Sequence, residues 1–259
     1  MSRSDDVVRI AEALAAAAAV MRRYTPGNVA VEMKAGGDPV TELDRVVDVL
    51  LRGVLVRPGE GWLSEESADD LARLECRRVW VVDPLDGTRE FVDGIPEYCV
   101  SIGLVEEGRA VAGGIHNPAT GETILGALGL GVTRDGSPVR TTERGELVGA
   151  RVLASRSETR RGEWERMEGN GFQVIPMGSV AYKLALVAAG HADATWTLVP
   201  KHEWDVAAGI ALVEAAGGAA WLRTGLPPRL NRPKPLLEGL IAAGGRLIGP
   251  ALSLINSTR

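Results

Sequence analysis

The spacing of apolar residues predicts helices near the start of the chain. Residues 7–24 are rich in alanine, the residue with the highest helix propensity, and a Pro-Gly pair follows them. Residues 41–55 carry apolar side chains at helical spacing and are also closed by a Pro-Gly pair. A third, short helix is predicted over residues 67–74, with Ser67 as its N-cap.

Strand patterns begin at residue 79. Residues 79–82 form an apolar run with three valines that stops at Pro84, which predicts a buried strand. An antiparallel meander is predicted by apolar runs between turn signals, at residues 99–105, 110–115 and 123–128. The Asp135-Gly136 pair marks a further turn.

The second half of the chain alternates strands with helices. Strands are predicted at residues 151–155, 172–176, 194–198 and 219–222. Helices are predicted at residues 161–168, 180–189, 206–216 and near 250–255. An α+β first half and an α/β second half indicate alternating layers of helix and sheet. We expect an N-terminal subdomain over residues 1–146 and a C-terminal subdomain over residues 147–259.

The composition limits the function. The 259 residues are 45% hydrophobic, and the net charge of −5 gives no electrostatic reason to bind nucleic acid or an anionic membrane. Two isolated cysteines and three histidines without an HExxH motif disfavour a disulfide framework and a zinc hydrolase. The apolar stretch 13–21 is too short to span a bilayer and lacks the basic flank of a signal peptide, so a cytoplasmic location is expected.

The candidate chemistry centres on the segment Trp-Val-Val-Asp-Pro-Leu-Asp-Gly-Thr at residues 80–88. Two carboxylates this close at the end of an apolar strand, Asp83 and Asp86, repel each other unless a cation lies between them. Mg²⁺ prefers oxygen ligands in octahedral geometry, and the carbonyl of Leu85 can add a third oxygen.

The residues after this pair suit a phosphate. Gly87 lets the backbone approach a ligand closely, and a helix that begins at Thr88 offers free N–H groups. The alternative is an ordinary turn in which Asp86 caps a helix over residues 88–92. That alternative leaves Asp83 without a role, so metal binding is the favoured interpretation.

Other acidic residues each have a structural alternative. Glu65 and the adjacent Glu66 can complement the dipole of a following helix. Asp205 can be the N-cap of a helix, and Asp44 can complete a capping box with Thr41. None is persuasive alone, and the argument comes from their joint order along the chain.

Four motifs in this order resemble the inositol monophosphatase superfamily of lithium-sensitive, magnesium-dependent phosphatases, over nearly the whole chain. The motifs are Asp38-Pro-Val-Thr-Glu-Leu-Asp44, Ser64-Glu-Glu66, Asp83-Pro-Leu-Asp-Gly-Thr88 and Trp204-Asp-Val-Ala-Ala-Gly209. The resemblance implies an α-β-α-β-α layered sandwich of the inositol monophosphatase and fructose bisphosphatase type, a small phosphorylated substrate and a homodimer.

Within the superfamily the chain looks most similar to the CysQ group of 3'(2'),5'-bisphosphate nucleotidases, which implies hydrolysis of adenosine 3',5'-bisphosphate to AMP and phosphate. Ser64 stands where inositol monophosphatases usually have glycine, and Arg89-Glu-Phe91 and Ser155-Arg-Ser157 resemble CysQ segments. Leu198, seven residues before Asp205, stands where inositol enzymes carry a glutamate for inositol hydroxyls. A leucine side chain cannot make those hydrogen bonds.

Two departures from the CysQ pattern lie where the nucleotide is expected. Glu158 stands where histidine often follows Ser-Arg-Ser, and three residues rather than two separate Ser179 from Lys183.

The resemblance implies roles for the acidic residues. One Mg²⁺ would be bound by Glu65, Asp83 and the Leu85 carbonyl. A second would be bound by Asp83, Asp86 and Asp205, and Glu65 would hold a third, looser ion through water.

The resemblance also implies the catalytic groups and the substrate contacts. A metal-bound water near Glu65 and Thr88 would attack the phosphate, and Asp44 would accept a hydrogen bond from Thr88. The backbone amides of Gly87 and Thr88 would hold the phosphate. Further substrate contacts are expected at Ser157, Ser179 and Lys183. A solvated helix residue is the alternative for Lys183.

Two alternatives to a bisphosphate nucleotidase stay open. The same chemistry can act on an inositol phosphate or on fructose bisphosphate, because the metals recognise only the phosphate. A non-catalytic nucleotide-binding module is the alternative of another class, although it would not need the water-activating residues.

Overall fold

The computed structural model of the chain describes residues 2–33, 39–167 and 169–257. Its α-helices are α1 (Arg3–Met21), α2 (Glu42–Leu55), α3 (Thr88–Val92), α4 (Arg156–Arg160), α5 (Val180–Ala188), α6 (Glu203–Ala215) and α7 (Ile248–Ser257). Short 3-10 helices lie at Ala72–Glu75 and Glu165–Met167. No helix in these ranges is both long enough and apolar enough to cross a membrane.

The strands of the first half are β1 (Glu32–Met33), β2 (Pro39–Val40), β3 (Glu60–Ser64), β4 (Arg78–Asp86), β5 (Cys99–Glu106), β6 (Arg109–Asn117), β7 (Glu122–Ala127), β8 (Gly131–Arg134) and β9 (Ser137–Val139). Those of the second half are β10 (Arg151–Ser155), β11 (Gln173–Met177), β12 (Ala194–Thr197), β13 (Lys201–His202), β14 (Gly218–Trp221), β15 (Leu236–Leu237) and β16 (Leu240–Gly244).

Strands β3 to β9 form one seven-stranded sheet in chain order. β3 pairs parallel to β4, and every later pair is antiparallel, so the predicted meander is confirmed. Alternate residues of β4 face opposite sides: Val81 joins the core shared with α5 and α6, while Trp80 and Val82 join the core under α1 and α2. Both faces of the sheet are therefore covered by helices.

A second sheet has the order β11-β10-β12-β16-β14, with parallel pairing at β10 and antiparallel pairing at β16. Helices α5 and α6 lie between the two sheets, and α7 covers the outer face of the second one. The layer order is α-β-α-β-α, which confirms the predicted fold class.

Glycines let α6 approach the seven-stranded sheet. A Cβ atom on Gly113 would lie 2.4 Å from the carbonyl oxygen of Ala208 in α6, and one on Gly103 would lie 2.8 Å from the Ala208 nitrogen. No side chain fits at such distances, so the helix rests directly on the strands β5 and β6.

Two predicted helices are wrong. Residues 67–74 hold only the 3-10 helix Ala72–Glu75, and Ser67 does not cap it, because its hydroxyl donates to Asp48 instead. Instead of one helix over residues 161–168, the structure has α4, which ends at Arg160, and the 3-10 helix Glu165–Met167. Gly162, at a φ of 76°, interrupts the helical conformation between them. Residue 168 of that prediction lies outside the described residues.

Candidate active site

The site begins at the end of β4, which continues past Pro84 to Asp86. The pairing of β4 with β5 shifts register between Asp83 and Asp86, so the proline lies where the strand pairing is interrupted. Asp83 is 2% exposed, and its carboxylate accepts a hydrogen bond from the Leu85 amide at 3.0 Å. The carboxylate therefore holds the turn that carries the next residues.

Gly87 connects this turn to α3. Its φ is 95°, and a Cβ atom there would lie 2.8 Å from the carbonyl oxygen of Glu97. Only glycine fits both restrictions. Gly87, not Asp86, is the N-cap of α3, so the alternative in which Asp86 caps this helix is wrong.

Carboxylates from distant parts of the chain converge beside Asp83. Ligand oxygens of Glu65, Asp83 and Asp205 all lie within 4.8 Å of one another. Glu65 follows β3 and is positioned by a bond from its amide to the Val82 carbonyl, while Asp205 lies in the first turn of α6. No helix follows Glu65 directly, so a helix-dipole role for it is wrong.

Electrostatic repulsion dominates this cluster. Burial first, and then the charges of Glu65 and Asp86, raise the pKa of Asp83 well above its usual value. Burial and Asp86 raise the pKa of Asp205 to about 8, although Lys201 partly offsets them. A cation among these groups would favour their charged forms.

Asp86 is fixed by α5. One of its oxygens, Oδ2, accepts hydrogen bonds from the Ser179 hydroxyl at 2.7 Å and from the Ala181 amide at 2.6 Å. Ser179 also accepts a bond from the Tyr182 amide as the N-cap of α5. The second carboxylate of the strand-end pair therefore depends on the start of this helix.

Asp205 and Asp44 both combine a structural bond with a place at the site. Asp205 accepts a bond from the His202 amide at 3.0 Å and so completes the capping box of α6, in which His202 is the N-cap. Asp44 completes a capping box with Thr41 through its Oδ2 atom. A carboxylate has two oxygens and about four lone-pair positions, so these bonds leave capacity for a cation or a hydroxyl.

Thr88 lies between two acceptors. Its hydroxyl oxygen is 3.1 Å from Asp44 Oδ1 and 3.0 Å from the Leu85 carbonyl oxygen. A hydroxyl has one hydrogen and donates to only one of them at a time. Use of the Leu85 carbonyl by a cation would direct the Thr88 hydrogen to Asp44.

The donor set fits a hard divalent cation. The group of described residues that could hold a metal contains carboxylates and neither histidine nor cysteine. Oxygen-only coordination is typical of Mg²⁺, and the Leu85 carbonyl and Asp86 lie next to the group. The residues that would hold the metal are Glu65, Asp83, Leu85, Asp86 and Asp205.

The cavity over the cluster has a volume of about 400 Å³ and a second, basic side. Its basic lining residues are Arg89, Arg156, Arg161, Lys183 and Lys201. Arg156 makes two bonds of 2.6 Å to Glu97 and so ties α4 to the loop before β5. The basic side chains face the same space as the acidic cluster.

The predicted substrate contacts all line this cavity. Lys183 is 2% exposed, and its ammonium donates to the carbonyls of Met177, Gly178 and Ser179 at 2.9 to 3.3 Å. Burial lowers its pKa to about 8. The Ser157 hydroxyl lies 3.0 Å from that of Ser155. The described geometry therefore gives Lys183 a supporting role for the segment that holds Asp86.

Sequence reasoning missed Asp48, which lies one helical turn after Asp44 in α2. Its two carboxylate oxygens accept bonds from the hydroxyls of Ser64 and Ser67, on either side of the adjacent glutamates. Asp48 is 5% exposed. It therefore fixes the segment that presents Glu65, and the i, i+4 spacing from Asp44 was the available signal.

The chain is similar to known proteins over nearly its whole length. The model of the inositol monophosphatase family matches residues 3–252. An inositol-1-monophosphatase of Mesorhizobium japonicum is 34% identical over 234 residues, which cover 87% of this chain and 85% of that protein. A fructose-1,6-bisphosphatase/inositol-1-monophosphatase of Thermotoga maritima is 34% identical over 194 residues, 73% of each chain.

Solved structures agree on the fold. The Thermotoga maritima IMPase has a TM-score of 0.82 at 28% identity, covering 100% of this chain and 98% of that one. CysQ from Bacteroides thetaiotaomicron has a TM-score of 0.77 at 26% identity, covering 93% and 98%. Both names occur among similar proteins, so the CysQ assignment stays a prediction, whereas the chain itself belongs to the inositol monophosphatase family.

Proposed function

We propose that this family phosphatase is a Mg²⁺-dependent phosphomonoesterase that converts adenosine 3',5'-bisphosphate to AMP and phosphate. The observation that carries the reaction type is the convergence of Glu65, Asp83 and Asp205. The Thr88–Asp44 pair stands beside this cluster, because Thr88 begins α3 directly after the strand that carries Asp83. Carboxylates this close repel one another, and a bound cation would offset that repulsion.

Bound Mg²⁺ would lower the pKa of a coordinated water and offset the charge of the phosphate. The carboxylates hold the cation positions, and the backbone amides of Gly87 and Thr88 bind phosphate oxygens. The Thr88 hydroxyl donates its hydrogen to Asp44, so its lone pairs can accept from the attacking water and orient it. Asp44 is the acceptor that can help to move the proton of that water.

The basic side of the cavity supports a substrate with more than one phosphate. Arg161 and Lys201 line the same cavity as the acidic cluster, and positive charge in that lining favours a substrate with more negative charge than a single phosphate. Leu198 offers no hydrogen bond from its side chain to a polyol. Both features favour a bisphosphate that is not an inositol phosphate.

Inositol 1-phosphate is the second candidate substrate, and the names of the curated relatives favour it. Fructose 1,6-bisphosphate is favoured by the name of the Thermotoga maritima relative and shares the second phosphate. Specificity constants for the three substrates, measured side by side with Mg²⁺, test the proposal. We expect the highest kcat/KM for adenosine 3',5'-bisphosphate, and a higher value for inositol 1-phosphate would overturn the substrate assignment.

A non-catalytic nucleotide-binding module makes the opposite prediction in the same assay. It would bind the bisphosphate tightly and release no phosphate.

We also propose a homodimer, which light scattering of the purified chain would test through its mass.

Lithium provides an independent test of the second metal position, formed by Asp83, Asp86 and Asp205. We expect Li⁺ to inhibit phosphate release, because it would compete for carboxylates that otherwise bind Mg²⁺. Rates in lithium chloride and sodium chloride at equal ionic strength provide the comparison. Equal rates in the two salts would contradict this assignment.

A further inference from the structure

A second cavity of about 410 Å³ lies next to the catalytic cavity, and we call it the side pocket. Its lining includes Arg161, Arg166, Arg223, Met167, Leu198 and Ile255. Arg161 lines both cavities. Leu198 lines the side pocket and its neighbour Val199 lines the catalytic cavity, so the two spaces are adjacent.

The side pocket has an excess of positive charge. Among the described residues, three arginines line it against one carboxylate, Glu163, which already pairs with Arg161. The Nε atom of Arg223 is buried and has no hydrogen-bond partner among the described residues. Its Nη2 atom donates to the Ile255 carbonyl at 3.4 Å, a long hydrogen bond. Because a buried donor without a partner is unfavourable, an anion that accepts from Arg223 would be stabilised here.

The rest of the pocket is apolar. Met167 and Ile255 are 5% and 3% exposed, and Leu198 lines the same pocket. The Leu198 amide donates to the buried Glu158, which fixes the backbone and leaves the side chain to form the wall. An apolar wall beside guanidinium groups suits a flat organic group that carries an anion.

We propose that the side pocket binds the part of the substrate beyond the scissile phosphate, and that this part is a nucleoside with its own phosphate. The proposal rests on the proposed function, because the scissile phosphate must lie at the acidic cluster. The nucleoside then packs against Leu198 and Met167, and its phosphate pairs with Arg223 and Arg166. A polyol phosphate matches neither the apolar wall nor the second anion.

AMP is the direct probe, since it is the product that would keep this second phosphate. We expect the full chain to bind AMP in EDTA, where the acidic cluster repels anions and cannot compete for the probe. Arg223→Gln should weaken AMP binding by roughly tenfold, as expected for loss of a charge-assisted hydrogen bond. Leu198→Glu should weaken it further, because it adds a negative charge to the wall.

Isothermal titration calorimetry measures these affinities, with Arg246→Gln as the matched control. Arg246 is an exposed arginine that lines neither cavity, so its variant should bind AMP as the wild type does. Arg166→Gln gives a second measurement if Arg223→Gln fails to fold, since Arg166 is exposed. Adenosine and inorganic phosphate, titrated separately, should each bind more weakly than AMP.

The outcomes separate the two proposals. Unchanged AMP affinity in the Arg223 and Arg166 variants, with phosphatase activity retained, would overturn the side pocket alone. Absence of phosphatase activity in the wild type would overturn the proposed function, whatever AMP does. Inorganic phosphate that binds as tightly as AMP would show an anion site without a nucleoside and would contradict the proposal.

Discussion

The acidic and basic sides of the catalytic cavity are built from different kinds of structure. Asp83 and Asp205 lie on β4 and on the first turn of α6, long elements that pack in the centre of the molecule. Arg161 follows the five-residue helix α4, and Lys201 belongs to the two-residue strand β13. The Arg161 side chain is 52% exposed, whereas Asp83 is 2% exposed.

This difference teaches where the two parts of the function are encoded. Buried groups on packed elements are held in one geometry, as metal coordination requires. Charged groups on short elements can change with little loss of stability, so they are suited to substrate choice. Variants on the acidic side should therefore affect the reaction, and variants on the basic side should affect substrate affinity.

The largest effect is expected for Asp83→Asn. Loss of a shared metal ligand removes several kcal/mol of transition-state stabilisation, so kcat should fall by about 10³-fold or more. The same change relieves a buried charge, so the metal-free variant should melt at a higher temperature than the metal-free wild type. Phosphate release and thermal unfolding in EDTA measure the two effects.

Glu238→Gln is the control, because Glu238 is exposed and lines neither the catalytic cavity nor the side pocket. Near-normal turnover by Asp83→Asn would show that the acidic cluster is not the reaction centre.

A smaller effect is expected for Asp48→Asn. Asp48 touches no substrate, but it fixes the hydroxyls of Ser64 and Ser67 around Glu65. Mg²⁺ affinity should fall by about 10- to 100-fold, as is typical when a group that orients a metal ligand is changed. The Mg²⁺ concentration for half-maximal activity measures it. A variant that is less stable but has an unchanged Mg²⁺ requirement would leave Asp48 a structural role only.

Lys201→Gln tests whether the basic residues of the cavity affect substrate affinity more than turnover. A half-exposed ammonium contributes little per contact, so KM for a bisphosphate should rise by about two- to fivefold while kcat changes less. The difference from the wild type should shrink at high salt, because exposed charges are screened. Lys234→Gln, at an exposed lysine outside the catalytic cavity, is the control. A large fall in kcat with constant KM would place Lys201 on the reaction side instead.

The pH dependence of stability without metal is a separate effect, on folding and not on turnover. The folded pKa of Asp205 is about 8, above the usual value of 3.8, so the folded state favours the protonated acid. Below pH 4 the group is neutral in both states and costs nothing. As pH rises from 4 to about 8, the unfolded state ionises more readily and the metal-free protein loses stability.

Melting temperatures in EDTA between pH 5 and pH 8 should therefore decline, and the increase on adding Mg²⁺ should be larger at pH 8. Asp205→Asn should weaken the decline. A metal-free melting temperature that rises over this interval in the wild type and not in the variant would contradict the assignment.

The local part of the site was predictable from its own residues, whereas the convergence of Glu65 and Asp205 on Asp83 was predicted only through the family resemblance. Asp83 and Asp86 stand in one short segment whose chemistry follows from its own residues. Asp48 was overlooked because its partners lie 16 and 19 residues later, and no local rule pairs an acid with distant serines. The same contact explains the wrong helix at residues 67–74, since it takes the hydroxyl of Ser67 away from a capping role.

Strand β16 shows a second limit. Its sequence, Leu-Ile-Ala-Ala-Gly, is apolar throughout and too short for its period to separate a strand from a buried helix. It becomes a strand because β12 and β14 both pair with it. By contrast, the meander of β5 to β7 has turn signals between its apolar runs, and those signals were sufficient.

The glycine at residue 113 has a consequence for engineering. Because it has no side chain, the sheet contacts the helix that carries Asp205 directly at this position. A methyl group there would push the N-terminal turn of α6 away from the end of β4. The distances from the Asp205 carboxylate to those of Glu65 and Asp83 would then increase. Gly113→Ala would therefore weaken metal binding, although residue 113 is a packing residue and not a metal ligand.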